Sequence, residues 1–287
     1  MDLVKNILTK DFSYFDDRGI YYDEENDPVS AHLFSLHGEK WKRLRGSLTP
    51  AFSIAKIKYM FKTILDCGDA MIEHLIKTDQ NADIEIRDVL ARYTTDVIGS
   101  CAFGIECNSL KDPDAEFRVM GQRAFKQTTV DVLRNAAIRI SPLFAKAFKL
   151  SVFPSSVSKF FKGVVEDTIS FREKNDVTRN DFMQLLIKLK NGESLDGTAS
   201  CDDQLTVNEA AAQAFIFFLA GFETTSTSLG FAILEIALDD KIQNRIRQEI
   251  ITTLEKYEND INYDFIAELQ YLEMVLLGMQ TFISQVF

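Results

Sequence analysis

Little in this sequence can act as a covalent or conformational staple. Four cysteines in 287 residues are too few and too scattered for a disulfide framework. Only 5 prolines and 13 glycines are present, and strands joined by tight turns need more punctuation than that. The expected fold class is therefore mainly α. Positive charge is also short: 32 Lys and Arg stand against 43 Asp and Glu, for a net charge of −11. Binding phosphate backbones needs a net basic surface, so nucleic acid is not an expected partner. The three histidines, His32, His37 and His74, do not cluster at metal-ligand spacing, and no metal site is expected. No Gly-rich phosphate loop and no nucleophile–base pattern occurs. The opening Met1-Asp2-Leu3-Val4-Lys5-Asn6 has no basic region followed by an apolar run, so it does not read as a signal peptide. The most apolar stretch, 210–222, is interrupted by Gln213 and closes at Glu223. That is short of the ~20 residues a bilayer requires, so the chain reads as soluble or peripheral, with reduced thiols that fit a cytosolic face.

Apolar residues, at 46%, are plentiful. They suffice for a large core and are too many for a disordered chain. At roughly 150 residues per domain the length admits one large or two ordinary domains. Phe alone contributes 23 residues. That suits a greasy cavity, and a plain core explains it equally well.

The chain reads as loop up to about Pro28, with an acidic run at Asp23, Glu24, Glu25 and Asp27. Ile54, Ile57, Phe61, Ile64, Met71 and Leu75 then form one stripe of a long amphipathic helix. Further helices are expected over 86–103, 116–129 and 156–174, with turns and loop around Pro142 and Pro154. A short helix over 181–190 is stopped by Asn191-Gly192. A polar surface loop over 193–203 follows. Thr206-Val207-Asn208-Glu209 spells a capping box, and helix is expected from there to about Leu238. At 1.5 Å per residue that rod is roughly 50 Å long, and its apolar character on nearly all sides marks a buried central helix. Ile242, Ile246, Ile250 and Leu254 give a surface helix after it.

One patch of the central helix breaks the rules around it. Ala220-Gly221-Phe222-Glu223-Thr224-Thr225 puts a glycine, a carboxylate and hydroxyls in the middle of an apolar rod. Glycine costs about 1 kcal/mol in a helix interior, and a buried carboxylate is costly unless paired. Two readings stay open. In one, the helix widens at Gly221, and Glu223 and Thr224 form an acid–alcohol pair for proton delivery. In the other, Gly221 permits a close helix crossing and the hydroxyls bond back to their own helix.

That spelling resembles the oxygen-activating helix of the cytochrome P450 monooxygenases, Ala/Gly-Gly-x-Asp/Glu-Thr-Thr/Ser, at all six positions from Ala220 to Thr225. A second phrase, Trp41-Lys42-Arg43-Leu44-Arg45, resembles the family's Trp-x-x-x-Arg helix. Its i, i+4 spacing puts an indole N–H and a guanidinium on one face. Phe15-Asp16-Asp17-Arg18-Gly19, Leu48-Thr49-Pro50-Ala51-Phe52 and the run from Asp96 to Gly104 are similar to microsomal insect members. The resemblance covers the chain to about Leu276. It implies a partial cytochrome P450 domain over 1–276 and a non-homologous tail over 277–287. It further implies haem as cofactor, with Trp41 and Arg45 on its propionates and Ala220 and Gly221 against it. Ile216 and Leu219 would face a hydrophobic substrate, and Glu223 and Thr224 would supply protons. The implied activity is oxidation of hydrophobic small molecules with O2 and NADPH-derived electrons. The electrons would come from a reductase docked on the basic face that includes Lys40, Lys42, Arg43 and Arg45. The implied location is the cytosolic face of the endoplasmic reticulum membrane.

The resemblance also implies elements that this sequence does not spell. The family's axial Cys sits in a Phe-x-x-Gly-x-Arg-x-Cys-x-Gly loop, and none of Cys67, Cys101, Cys107 and Cys201 lies in one. No Arg follows Arg247, so the family's Glu-x-x-Arg pair is missing as well. The expectation is a chain truncated at both ends, without the membrane anchor, most of the small β-sheet and the haem-Cys region. The alternative function is accordingly a catalytically dead fragment that binds no haem.

Overall fold

The computed structural model describes residues 2–78, 83–193 and 204–286, with side chains described as far as Met279. Cys201 and most of the polar stretch 193–203 lie outside the described residues. Among the described residues the architecture is helical, and a single Asp23–Asp27 bridge is the only β pairing. The chain runs through α1 (Asp2–Leu8), α2 (Gly38–Leu48), α3 (Ile54–Lys77) and α4 (Ile86–Ile98). After α4 come α5 (Glu116–Phe125), α6 (Thr129–Ile140), α7 (Pro142–Ala147) and α8 (Ser155–Asn175). The remainder is α9 (Phe182–Lys190), α10 (Val207–Leu238), α11 (Asp240–Lys256), α12 (Tyr263–Ala267) and α13 (Gln270–Val286).

Local signals explain most boundaries. Thr206 accepts from the Glu209 amide while the Glu209 carboxylate accepts from the Thr206 amide, which is the capping box expected at the start of α10. Asp181 caps α9 by accepting from the Gln184 amide. Two expectations need correction. Residues before Pro28 are not all loop, because Asp2–Leu8 is helical. The region before Pro142 holds a full helix, α6, started by a second capping box between Thr128 and Asp131. The helix expected over 86–103 forms, but its last turn, Gly99–Phe103, winds as a π-helix. A boundary at 276/277 would fall inside α13.

The core is organised around α10. Phe215, Phe218 and Phe222 on that helix are buried against Phe103 of the π-turn, Phe117 of α5 and Phe161 of α8. The Phe117–Phe218 and Phe103–Phe117 rings meet edge to face at centroid distances of 5.1 Å. Each such ring removed from water contributes about 1.5–3 kcal/mol, and the edge-to-face pairs add more. The phenylalanine excess is therefore mostly core. The expectation that α10 is buried along its whole length fails in its second half. Residues 210–215 are buried throughout, whereas Ile233, Leu234 and Leu238 are exposed. By length and apolarity alone α10 could cross a membrane, but its first half is the packed centre of this core.

Candidate functional site

The face of α10 that passes the glycine is the wall of an open cavity of about 570 Å³. Ile216, Phe217, Ala220 and Gly221 supply that wall. Spacings of one, four and five residues keep all four on one side of the helix. α2 supplies the rim. Its Leu44 and Leu48 are buried, and this holds the neighbouring Trp41–Arg45 face toward the cavity, which both residues line. The segment between α1 and α2 adds Arg18, Leu33 and Phe34, and Phe52 and Ile98 complete the lining.

The rim carries unspent donors. Arg18 lies 5.3 Å from the Phe34 ring centre and 5.7 Å from that of Trp41, so two aromatic faces hold it. Neither Arg18 nor Arg45 makes an ion pair with a described residue, and the Trp41 indole N–H meets no acceptor among them. Two guanidiniums and an indole N–H thus converge on a space with otherwise apolar walls. That set suits a flat, apolar ligand with carboxylates at one edge.

The remaining residues singled out by the motif are placed differently. Leu219 lies off the cavity face and packs against the core. Glu223 turns away as well, and Arg87 of α4 donates to its carboxylate at 2.5 Å. The costly buried carboxylate expected from the sequence is therefore partly exposed and paired. Thr224 donates its hydroxyl to the Ala220 carbonyl on its own helix, and Ser226 does the same to Glu223. No hydrogen bond joins Glu223 to Thr224. α10 stays α-helical through Gly221, where an added Cβ would lie 2.9 Å from Ile98 Cδ1 of α4. The widening at Gly221 that one reading expected is not observed, and the close crossing that the other expected is. Thr94 of α4, buried beside it, donates to the Phe222 carbonyl at 3.1 Å.

The order of these elements, a Trp/Arg helix first and an apolar rod with Ala-Gly-x-Glu-Thr-Thr facing it, matches one protein family. The family model for Cytochrome P450 matches residues 1–280. The chain belongs to the cytochrome P450 family. Among similar proteins, Cytochrome P450 6a9 of Drosophila melanogaster is 45% identical over 277 residues, or 96% of this chain and 55% of the relative. Cytochrome P450 6A1 of Musca domestica is 42% identical over 278 residues, or 96% of this chain and 54% of the relative. Probable cytochrome P450 6a21 of Drosophila melanogaster is also 42% identical, over 275 residues. The chain thus spans about half the length of the curated relatives it matches.

Cytochrome P450 proteins carry haem, and the cavity can be tested against that group. Its apolar walls and its three donors fit the faces and the carboxylates of haem. A thiolate for the iron is not found there: none of the three described cysteines lines the cavity. Burial pushes the Cys67 thiol up to about 11 and the Cys101 thiol up to about 12, and it raises Cys107 too. These are packed thiols, not ready ligands. Sequence reasoning found the Trp41–Arg45 pair but assigned no role to Arg18, Phe34, Phe52 or Ile98. The only signal for Arg18 was its place in the phrase Phe15–Gly19.

Proposed function

We propose that this chain forms the distal wall and the propionate-binding rim of a haem-dependent monooxygenase acting on hydrophobic small molecules. The convergence of Arg18, Trp41 and Arg45 on the apolar cavity walled by Ile216, Ala220 and Gly221 carries the reading. Haem, when bound, would supply redox-active iron for O2 reduction and oxygen-atom transfer. Arg45 and Arg18 would hold its carboxylates, and Trp41 would donate its N–H to them. Ile216 and Ala220 present an apolar surface to substrate and exclude water. Thr224 directs its hydroxyl proton to the Ala220 carbonyl, which leaves its oxygen lone pairs to accept a hydrogen bond from a bound water or ligand. Glu223, at the preceding position, partly exposed and paired with Arg87, is the acid beside this alcohol.

The finer features follow the same reading. A reductase supplies electrons at the basic face of α2, where Lys42 is exposed and Lys40 already engages Glu24 at 2.7 Å. The protein works at the cytosolic face of the endoplasmic reticulum membrane. The exposed apolar side chains of α6 and α7, Leu133, Ile140, Leu143 and the adjoining Phe148, rest on the lipid with Lys146 and Lys149 beside them.

Trp41 is the single tryptophan, so its fluorescence reports on the cavity alone. Haemin is expected to quench it saturably, and Arg45→Ala is expected to weaken the apparent affinity about tenfold. With none of the described cysteine thiols at the cavity, the reduced carbon monoxide complex of the 287-residue chain should lack a thiolate-type Soret band. Unquenched Trp41 sinks the haem reading, and a thiolate-type band sinks the claim about the ligand.

A further inference from the structure

Gln213 is out of character with its surroundings. It sits in the most apolar part of α10, among Ala210, Ala214 and Phe215, and is completely buried. A buried amide is tolerated only when its polar atoms find partners. Both ends of this one do. Its Nε2 donates to the Glu209 carbonyl one turn back at 3.2 Å, which fixes the amide plane. Its Oε1 accepts from the backbone N–H of Leu33 at 2.9 Å, on a segment far away in the chain.

The rest of that segment is held by packing, with Val29 and Leu36 buried in the core beside α10, and by hydrogen bonds at its far end. Asp27 there is buried, and its carboxylate accepts from the Val152 and Phe153 amides and from the Ser158 hydroxyl, at 2.8, 3.1 and 2.9 Å. Between the two anchors the backbone is folded on itself, with Ser35 and Leu36 N–H donating to the His32 carbonyl. Leu33 and Phe34, at the end held by Gln213, line the cavity opposite Ile216 and Ala220. Phe34 is also one of the two rings that hold Arg18.

We propose that Gln213 is a positioning residue for the cavity. Its buried amide ties the Leu33–Phe34 wall to the helix that forms the opposite wall, and so sets the width open to a ligand and the place of Arg18. Gln213 touches no ligand itself. The inference rests on the cavity being the ligand site, but its central contact can be tested without any ligand.

Two variants separate the amide from its volume. Gln213→Met keeps the shape and loses both hydrogen bonds. Gln213→Glu, kept protonated by its apolar burial, keeps an oxygen acceptor and an O–H donor at the same reach. Amide hydrogen exchange in the unaltered chain should show Leu33 protected relative to its exposed neighbour Phe34. In Gln213→Met, exchange at Leu33 should quicken roughly tenfold while α8 amides keep their protection, and Gln213→Glu should restore slow exchange. Haemin quenching of Trp41 should weaken about three- to tenfold in the Met variant and recover in the Glu variant. Leu33 exchanging as fast as Phe34 in the unaltered chain overturns the proposal, and this holds even where the Met variant loses its α8 protection and does not fold. Unchanged exchange and unchanged quenching in a folded Met variant overturn it too. Haemin that fails to quench Trp41 in the unaltered chain counts against the haem reading instead, and Leu33 exchange then decides the role of Gln213.

Discussion

Gly121 on α5 and Gly221 on α10 each admit a neighbouring side chain, and the two neighbours differ in their freedom to move. A Cβ at Gly121 would run into the Phe218 ring, which is buried and clamped by Phe117, Phe161 and Phe222. A Cβ at Gly221 would meet the terminal methyl of Ile98, the flexible end of a side chain beside a cavity. Gly121→Ala should therefore cost about 1–3 kcal/mol by overpacking. Gly221→Ala should come close to neutral, because the gain of about 1 kcal/mol in helix propensity offsets a small shift of Ile98. Denaturant midpoints of the two variants check the order, and a costlier Gly221→Ala refutes it. At this scale the sequence was informative about identity and silent about partners. Trp41 and Arg45 share a face by spacing alone. Glu223 finds Arg87, and Arg18 finds Phe34, only through folding.

At the scale of elements, Asp181 joins two helices. It caps α9 and also receives the buried Arg172 of α8 through both carboxylate oxygens, at 2.8 and 2.6 Å. Asp181→Ala leaves that guanidinium buried without its counter-ion, with only the neutral Gln184 side-chain oxygen at 3.3 Å, and should cost about 3–5 kcal/mol. Thr206→Ala removes only the cap of α10 and should cost about 1 kcal/mol. Thermal unfolding of both variants tests the ranking. The α6–α7 surface gives a different measurement. If Leu143 and Phe148 rest on lipid, as proposed, replacing both with Asp should abolish cosedimentation with anionic vesicles and leave the helical circular dichroism unchanged. Retained binding would remove α6–α7 as the contact. Helix limits were well marked in the sequence at Asp181 and Thr206, whereas the Thr128–Asp131 box that starts α6 lay inside a stretch read as one helix over 116–129. The helix at Asp2–Leu8 was missed because its stripe of Leu3, Val4, Ile7 and Leu8 spans only 7 residues, too few to establish a period, and none of them is buried.

For the whole molecule, acid should be destabilising through His32. Burial lowers its pKa from 6.5 to about 4, and its ring lies among Ser35 and Phe153. The folded state holds the neutral ring, whereas the unfolded chain takes up the proton between these two values. The contribution of His32 is therefore complete above pH 6.5 and is lost as pH falls toward 4, with a full size on the order of 3 kcal/mol. Unfolding free energies of the wild type and His32→Gln across that window should converge as pH falls. Parallel curves would show that His32 does not titrate there. Asp27 opposes this trend: burial raises its carboxyl, so its contribution is present at low pH and fades as pH rises through its folded value.

What the sequence determined by itself is local in origin. Helix class, most helix limits, the face shared by Trp41 and Arg45 and the rule-breaking turn at Ala220–Thr225 follow from periodicity, capping and intrinsic cost within a few residues. The tertiary structure decided everything that needs a partner from a distant segment. It placed Ile98 against Gly221, Arg87 on Glu223, Arg18 between two rings and Leu33 on Gln213. It also left the second half of α10 exposed, because burial depends on which elements pack against a helix and not on how apolar that helix is.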